Sequence, residues 1–190
     1  WGTIFKLIQT RSTRNVDRDI FYTEFGPWDH HLKMKVNIRE KFRGLNHGLS
    51  MFYNQLKEAG LWDQVTVVVT SDFGRTMTPN NNGGSDHSWS GHYFMMGGDV
   101  KGGQILGEYP YDITESGPLN VGHGRIIPTL SWDAVWNGVL QWMGVETQEE
   151  LDMCLPNAAN TLDPPFSILS EEDLFKNLGG GRRHLRGKMA

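Results

Sequence analysis

The hydrophobic pattern is clearest at residues 65–69, where four valines and a threonine follow one another without a charged residue. Such a run predicts a strand that is buried on both faces, which is typical of a parallel sheet. Residues 20–23, which contain Phe21 and Tyr22, favour an earlier strand. Residues 93–96 predict a third buried strand, which ends in two glycines.

Between the first two predicted strands, apolar residues recur at a spacing of three and four positions. They are Ile38, Phe42, Leu45, Leu49, Phe52, Leu56 and Ala59. This spacing predicts an amphipathic helix. Asn37 and Glu40 predict a capping box at its start, and Gly60 predicts its end. The order strand, helix, strand predicts a βαβ unit with parallel strands.

The rest of the chain predicts shorter elements. Ser131 is placed to cap a helix that ends at Gly144. Residues 100–107 predict a turn followed by a short strand, and residues 170–178 a short helix. The expected fold is therefore α/β, with a mostly parallel central sheet flanked by helices. Residues 179–190 combine glycines with five basic side chains, which predicts a solvated, flexible tail.

Composition narrows the class of protein. A chain of 190 residues with 38% apolar side chains, including seven tryptophans and nine phenylalanines, indicates one folded domain and excludes a disordered chain. The net charge of −4 does not favour nucleic acid or a membrane surface as a partner. No apolar run reaches the roughly 18–20 residues of a transmembrane helix. The single cysteine, Cys154, excludes an internal disulfide and is expected to be a buried free thiol.

Acidic and histidine side chains follow the predicted strands. Asp29 and His31 come after residues 20–23, and His87 lies in the loop after residues 65–69. One carboxylate oxygen and two imidazole nitrogens suit zinc or another divalent transition metal. Because the carboxyl ends of parallel strands share one edge, we expect these side chains to converge. The alternative is that the Asp-x-His segment is an ordinary surface turn.

Four further side chains belong to the same expected site. Asp72 and Arg75 are the candidate catalytic residues; the alternatives are a turn cap for Asp72 and a simple ion pair for Arg75. Asp86 and His92 are expected to lie behind the metal ligands, because a ligating imidazole usually donates its other nitrogen to a neighbouring group.

Five motifs carry a resemblance to a known family: GPWDHH (26–31), SDFGRT (71–76), N-x-x-GGSDH (80–87), MGGDVKGGQILG (96–107) and LPN (155–157). Together they resemble the family called domain of unknown function 1501, in the alkaline-phosphatase-like and sulfatase-like superfamily. The resemblance implies that residues 1–157 are the C-terminal part of such an α/β domain. Residues 158–178 are then an extension, and residues 179–190 the basic tail.

The resemblance also implies a metal centre. One metal would be held by Asp29, His31 and His87, and a second by Asp72 and the residue at position 73. Here that residue is Phe73, which cannot ligate a metal. The superfamily's nucleophile lies in a segment before the part that this chain matches, which implies a longer parent, secreted or periplasmic by the same resemblance.

The expected function is hydrolysis of a small phosphate or sulfate ester with a divalent metal. Zinc is expected first, with manganese, iron or calcium as alternatives. Arg75 or Lys101 would neutralise the anion, and Asp72 would hold a second cation or orient the ligands. The alternative is a non-catalytic binding or assembly protein that keeps the fold, with a protein partner supplying the missing half.

Overall fold

A computed structural model describes residues 1–161 and 168–177. Its elements, in chain order, are α1 (Gly2–Gln9), α2 (Met34–Glu58), β1 (Thr66–Val69), β2 (Gly74–Pro79), β3 (Ser85–Ser88), β4 (Phe94–Gly97), α3 (Trp132–Trp142), α4 (Gln148–Cys154) and α5 (Glu171–Leu174). Short 3-10 turns lie at Trp62–Gln64 and Ala158–Thr161. Among the described helices, none is both long and apolar enough to span a bilayer.

The chain divides into two compact units. Unit 1 consists of Trp1–Trp62, Asp72–Gly91 and Ile113–Ile126. Unit 2 consists of Asp63–Ser71, His92–Asp112 and the described part of Ile127–Ala190. The predicted division at residues 157 and 178 stays a prediction, and the basic tail lies outside the described residues.

The long helix of unit 1 is confirmed. Its inward face buries Leu49, Phe52 and Leu56, as the spacing predicts, and the ring of Phe52 lies 5.1 Å from that of Trp1. The helix ends beside Gly60, which adopts the left-handed conformation with φ +66°.

The start of α2 differs from the predicted capping box. The helix begins at Met34, after Lys33 in a left-handed conformation. The backbone N–H of Met34 donates to the carbonyl oxygen of Gly83 at 3.0 Å. Asn37 donates its side-chain amide to the carbonyl of Leu32. A neighbouring backbone segment therefore satisfies the first free N–H group of the helix.

The predicted parallel central sheet is wrong. The described residues form two antiparallel sheets of two strands each: β1 pairs with β4 in unit 2, and β2 pairs with β3 in unit 1. Residues 20–23 form no strand, and Ile20 and Tyr22 are each 83% exposed. Without that strand there is no βαβ unit to impose parallel pairing. The strands of the β1–β4 pair are only half-buried, as expected for a sheet that is not covered on both faces.

Unit 2 has its core around α3. Trp142 stacks on Phe175 with ring centroids 4.9 Å apart, and Val100, Val139 and Leu174 complete the buried cluster. The carboxylate of the buried Asp99 accepts a hydrogen bond from the Trp142 indole. This apolar cluster explains why short helices remain folded here, because tertiary packing outweighs their low intrinsic stability.

The caps of unit 2 give mixed outcomes. The predicted cap of α3 is confirmed, because the Ser131 hydroxyl accepts from the backbone N–H of Ala134. The helix α4, which was not predicted, begins with a capping box of Thr147 and Glu150. The strand predicted within residues 100–107 is wrong, since that segment holds only an isolated bridge at Val100. Cys154 is exposed, not buried.

Candidate metal centre

The loop that carries Asp29 and His31 rests on α2. The indole of Trp28 packs edge-on against Phe42, with ring centroids 5.1 Å apart. The preceding residue of the helix, Lys41, donates its ammonium to the carbonyl of Gly26 at 3.0 Å. A helix face and one charge-assisted hydrogen bond therefore fix the backbone immediately before the two candidate ligands.

His87 lies on β3, whose hairpin turn is held together by one asparagine. The Asn80 side-chain oxygen accepts from the backbone N–H of Gly84 at 2.9 Å, and its amide donates to the carbonyl of His31 at 3.1 Å. Gly84 is so close to this carbonyl that a Cβ atom there would lie 2.3 Å from it. The hairpin and the ligand loop are therefore in direct backbone contact.

Three donor atoms converge between the loop and the hairpin. The Nε2 atoms of His31 and His87 each lie 2.9 Å from Oδ1 of Asp29 and 3.2 Å from one another. Ligand atoms of these three residues all lie within 4.8 Å, in a set suited to a metal ion. Neighbouring ligands of a tetrahedral zinc with bonds of about 2.0–2.1 Å are spaced by roughly 3.3–3.4 Å. The donor set and its spacing therefore fit a cation after adjustments of a few tenths of an ångström.

Protons alone satisfy this arrangement poorly. Each neutral imidazole has one N–H donor and one acceptor nitrogen. If both imidazoles carried their proton on Nε2, the two N–H groups would point at the same oxygen, Oδ1 of Asp29, and would crowd one another. If only one Nε2 carries a proton, that proton can serve at most two of the three short contacts among these atoms. In the tautomer with its proton on Nδ1, His31 donates to Asp86, 3.3 Å away, and presents the Nε2 lone pair to Asp29. This is the orientation that a metal ligand requires.

Electrostatics keeps the central carboxylate ionised. The hydrogen bond from His87 is the largest effect on the pKa of Asp29 and lowers it. Desolvation, the next largest effect, opposes this shift, and the hydrogen bond from Arg75 adds to it. The three ligand side chains are 44–49% exposed. An ionised, solvent-accessible carboxylate is ready to bind a cation.

Arg75 binds protein groups in this structure. Its guanidinium donates to Oδ1 of Asp29 at 2.8 Å and to the carbonyls of Trp28 and Ser85. It thus joins the ligand loop to β3, and its side chain is 19% exposed. The ion pair with the Asp29 carboxylate is the alternative that the sequence left open for Arg75. The expected role of Arg75 in neutralising a substrate anion stays a prediction.

The aromatic neighbours of His87 were not anticipated. The ring of Phe73 stacks on the His87 imidazole with centroids 3.8 Å apart and planes 10° apart. The His31 ring stacks at 5.1 Å and 29°. The Arg75 Cζ atom lies 5.3 Å from the centre of the Phe73 ring. The sequence holds no clear signal for these contacts, because residues 73–79 (FGRTMTP) do not alternate between apolar and polar side chains.

The remaining predicted site residues lie elsewhere. Asp72 is exposed and does not belong to the group of Asp29, His31 and His87. The hydrogen bond from Tyr22 to Glu24 raises the pKa of that phenol, and the Asp72 carboxylate adds a smaller electrostatic contribution. His92 belongs to unit 2, where its ring stacks on Tyr109 at 5.3 Å.

Lys101 is also in unit 2, and its ammonium donates to the carbonyl of Glu172. The structure therefore brings together the predicted ligand set of Asp29, His31 and His87 with Asp86 and Arg75. The roles expected of Asp72 and His92 stay predictions.

Comparison with known proteins identifies a family. The family model described as a protein of unknown function (DUF1501) matches residues 6–120, which is more than half of the chain. The matched range contains the ligand loop and the whole β2–β3 hairpin. No curated protein and no solved structure shows a significant match. The chain belongs to the DUF1501 family of proteins of unknown function.

Proposed function

We propose that unit 1 binds one divalent transition metal, zinc in the first instance, through Asp29, His31 and His87. The observation that carries this proposal is the convergence of three donor atoms at 2.9, 2.9 and 3.2 Å from one another. An oxygen and two imidazole nitrogens are a common zinc ligand set, and manganese and iron accept the same donors. The all-oxygen coordination that calcium prefers makes it the weakest of the expected metals.

The open character of the site favours a catalytic metal over a structural one. Structural zinc sites are usually closed by four protein ligands, whereas catalytic sites have three and keep one position for water or substrate. Among the described residues, the cluster offers three ligands. All three side chains are nearly half exposed, which leaves room for a small molecule.

The reaction that we propose is hydrolysis of a small phosphate or sulfate ester. A divalent metal in such a site polarises an ester oxygen and stabilises charge that develops on it. Asp29, His31 and His87 would hold that metal, Asp86 would fix the tautomer of His31, and Arg75 would hold the Asp29 carboxylate in place. The ester class rests on the resemblance of the motifs to alkaline-phosphatase-like and sulfatase-like proteins.

Cobalt substitution tests the site. Chelator-treated protein titrated with Co²⁺ is expected to develop the intense visible bands of a four-coordinate ion, and His31→Ala is expected to lack them. His47→Ala is the matched control, because His47 is an exposed histidine of α2 that lies outside the cluster. Wild-type protein that stays colourless, or His31→Ala that behaves like His47→Ala, contradicts the proposed site.

The proposed reaction has its own test. Metal-loaded protein is assayed with aryl phosphate and aryl sulfate esters, again beside His31→Ala. Hydrolysis that depends on His31 supports the proposal. Binding of the metal without turnover of either ester would refute the hydrolase function for this chain while leaving the metal site intact.

A second candidate function is that of an assembly protein, and the sheet of unit 2 favours it. An isolated two-stranded sheet is marginally stable, and β1 and β4 pair only with each other among the described strands. A partner strand that adds to an edge of this sheet would extend it. Multi-angle light scattering distinguishes the candidates, since an assembly protein forms a stoichiometric complex with its partner and a self-sufficient enzyme does not.

A further inference from the structure

We propose that Phe73 is a positioning residue that fixes the imidazole of His87 for metal binding. The inference rests on the metal site of the proposed function and adds Phe73, whose side chain cannot itself ligate a metal. Its evidence is the near-parallel stack of the two rings, with centroids 3.8 Å and planes 10° apart. This is the closest ring pair in the described part of the molecule.

The geometry of the hairpin explains the contact. Arg75 pairs with His87 across the β2–β3 ribbon, so their side chains are on one face. Phe73 precedes Arg75 by two residues and therefore also points to that face. In this position it is a diagonal neighbour of His87, and long or aromatic side chains reach each other across that diagonal.

The stack restricts an otherwise mobile side chain. The His87 side chain is 47% exposed, so solvent alone would let its ring adopt several orientations. Rotation of the His87 imidazole out of its observed plane would lose its stacking contacts with both the Phe73 ring and the His31 ring. In the observed orientation Nε2 faces Oδ1 of Asp29 at 2.9 Å. Phe73 thereby reduces the conformational entropy that the His87 side chain loses when a metal binds.

The positive charge of Arg75 supports the same arrangement. Its Cζ atom lies 5.3 Å from the Phe73 ring centre while its guanidinium donates to Asp29. Arg75 thus touches both the stacking ring and the carboxylate ligand. A change at Phe73 is expected to act on metal affinity through His87, with the ligand set itself unchanged.

The test compares Phe73→Leu with Phe73→Tyr, using zinc affinity measured by competition with a chromogenic chelator. Outer residues that orient ligands typically contribute about 10- to 100-fold to metal affinity. We expect Phe73→Leu to weaken zinc binding by about tenfold, and Phe73→Tyr to retain the affinity because the ring is restored. Phe94→Leu is the control, because Phe94 is an exposed aromatic residue of unit 2. Equal affinity of wild type and Phe73→Leu overturns the inference.

A second measurement needs no bound metal and reads out the wild-type protein. In metal-free wild-type protein, the Phe73 ring current is expected to shift the His87 ring protons upfield in the NMR spectrum. Their signals are assigned by their loss in His87→Ala. Unshifted His87 ring protons refute the positioning role, whatever the zinc titration shows. Shifted protons in a protein that takes no zinc would instead refute the proposed metal site and leave the stack in place.

Discussion

A methyl group at Gly84 should separate the two segments that carry the metal ligands. The backbone of Gly84 faces that of His31, and a Cβ atom at position 84 would lie 2.3 Å from the His31 carbonyl carbon and oxygen. Both contacts are backbone atoms, so no flexible side chain can move aside. The change Gly84→Ala therefore requires the hairpin turn and the ligand loop to move apart by about 1.1 Å to reach the 3.4 Å of ordinary contact.

This displacement is large for a metal site. Metal–ligand distances are reproduced to about ±0.2 Å in genuine sites, so a shift of about 1 Å between His31 and His87 removes one ligand from reach. The two Nε2 atoms are 3.2 Å apart in the native protein. We expect Gly84→Ala to lower the free energy of unfolding by about 1–3 kcal/mol, the usual cost of overpacking, and to abolish tight zinc binding.

The adjacent glycine provides the matched control. Gly83 has φ +70° and open space around its Cα, so Gly83→Ala adds backbone strain without a clash. That strain costs about 1–2 kcal/mol. The two variants are compared by urea unfolding and by zinc competition with a chelator. We expect the two variants to lose similar amounts of stability, and only Gly84→Ala to lose zinc binding. Equal zinc affinity in both variants would refute the predicted displacement.

Three predictions concern unit 2. Phe175→Ala should lower the free energy of unfolding by about 3–5 kcal/mol, because the ring is fully buried against Trp142; a loss below about 1 kcal/mol in urea titrations would contradict that burial. Ser131→Ala should cost about 1 kcal/mol by removing the cap of α3, whereas Ser131→Asp should restore it, as thermal unfolding can show. The hydrogen bond from the Thr147 hydroxyl lowers the pKa of Glu150 in the folded protein. The ionised Glu150 therefore stabilises the fold above its unfolded pKa of about 4.3, and this stabilisation disappears as the pH falls through the folded pKa. The stability difference between wild type and Glu150→Gln should therefore shrink on acidification, and a constant difference would exclude this linkage.

The helices α2 and α3 were predictable because local signals and packing agree. In α2, the residues at spacing three and four include the buried Leu49, Phe52 and Leu56. Gly60 stops the helix in a conformation that glycine adopts easily. In α3, a serine hydroxyl at the start caps the first free N–H groups. Such signals act within a few residues, so the sequence displays them directly.

The sheet was not predictable from the same reasoning, because strand direction depends on distant partners. The valine run of β1 is compatible with parallel or antiparallel neighbours, and only its pairing with β4 decides the direction. The β2–β3 hairpin was missed since residues 80–84 were interpreted as part of a long loop. The asparagines and glycines there are in fact a turn signal between two short strands.

The candidate site was partly predictable. The types and order of Asp29, His31 and His87 indicated a metal ligand set, and the structure places their donor atoms together. The expected mechanism of convergence, a shared edge of a parallel sheet, is wrong; a hairpin docked on a loop brings them together instead. The stacking of Phe73 and the backbone contact at Gly84 depend on this docking, so the sequence alone did not reveal them.

Metal content of the purified full chain tests the central claim most directly. Inductively coupled plasma mass spectrometry is applied to wild type and His87→Ala after both have been supplied with zinc, manganese and iron and then desalted. The proposed site predicts about one equivalent of a divalent metal per wild-type chain, with zinc preferred, and its loss in His87→Ala. Wild-type protein without bound metal, or His87→Ala that retains the same amount, would contradict the account.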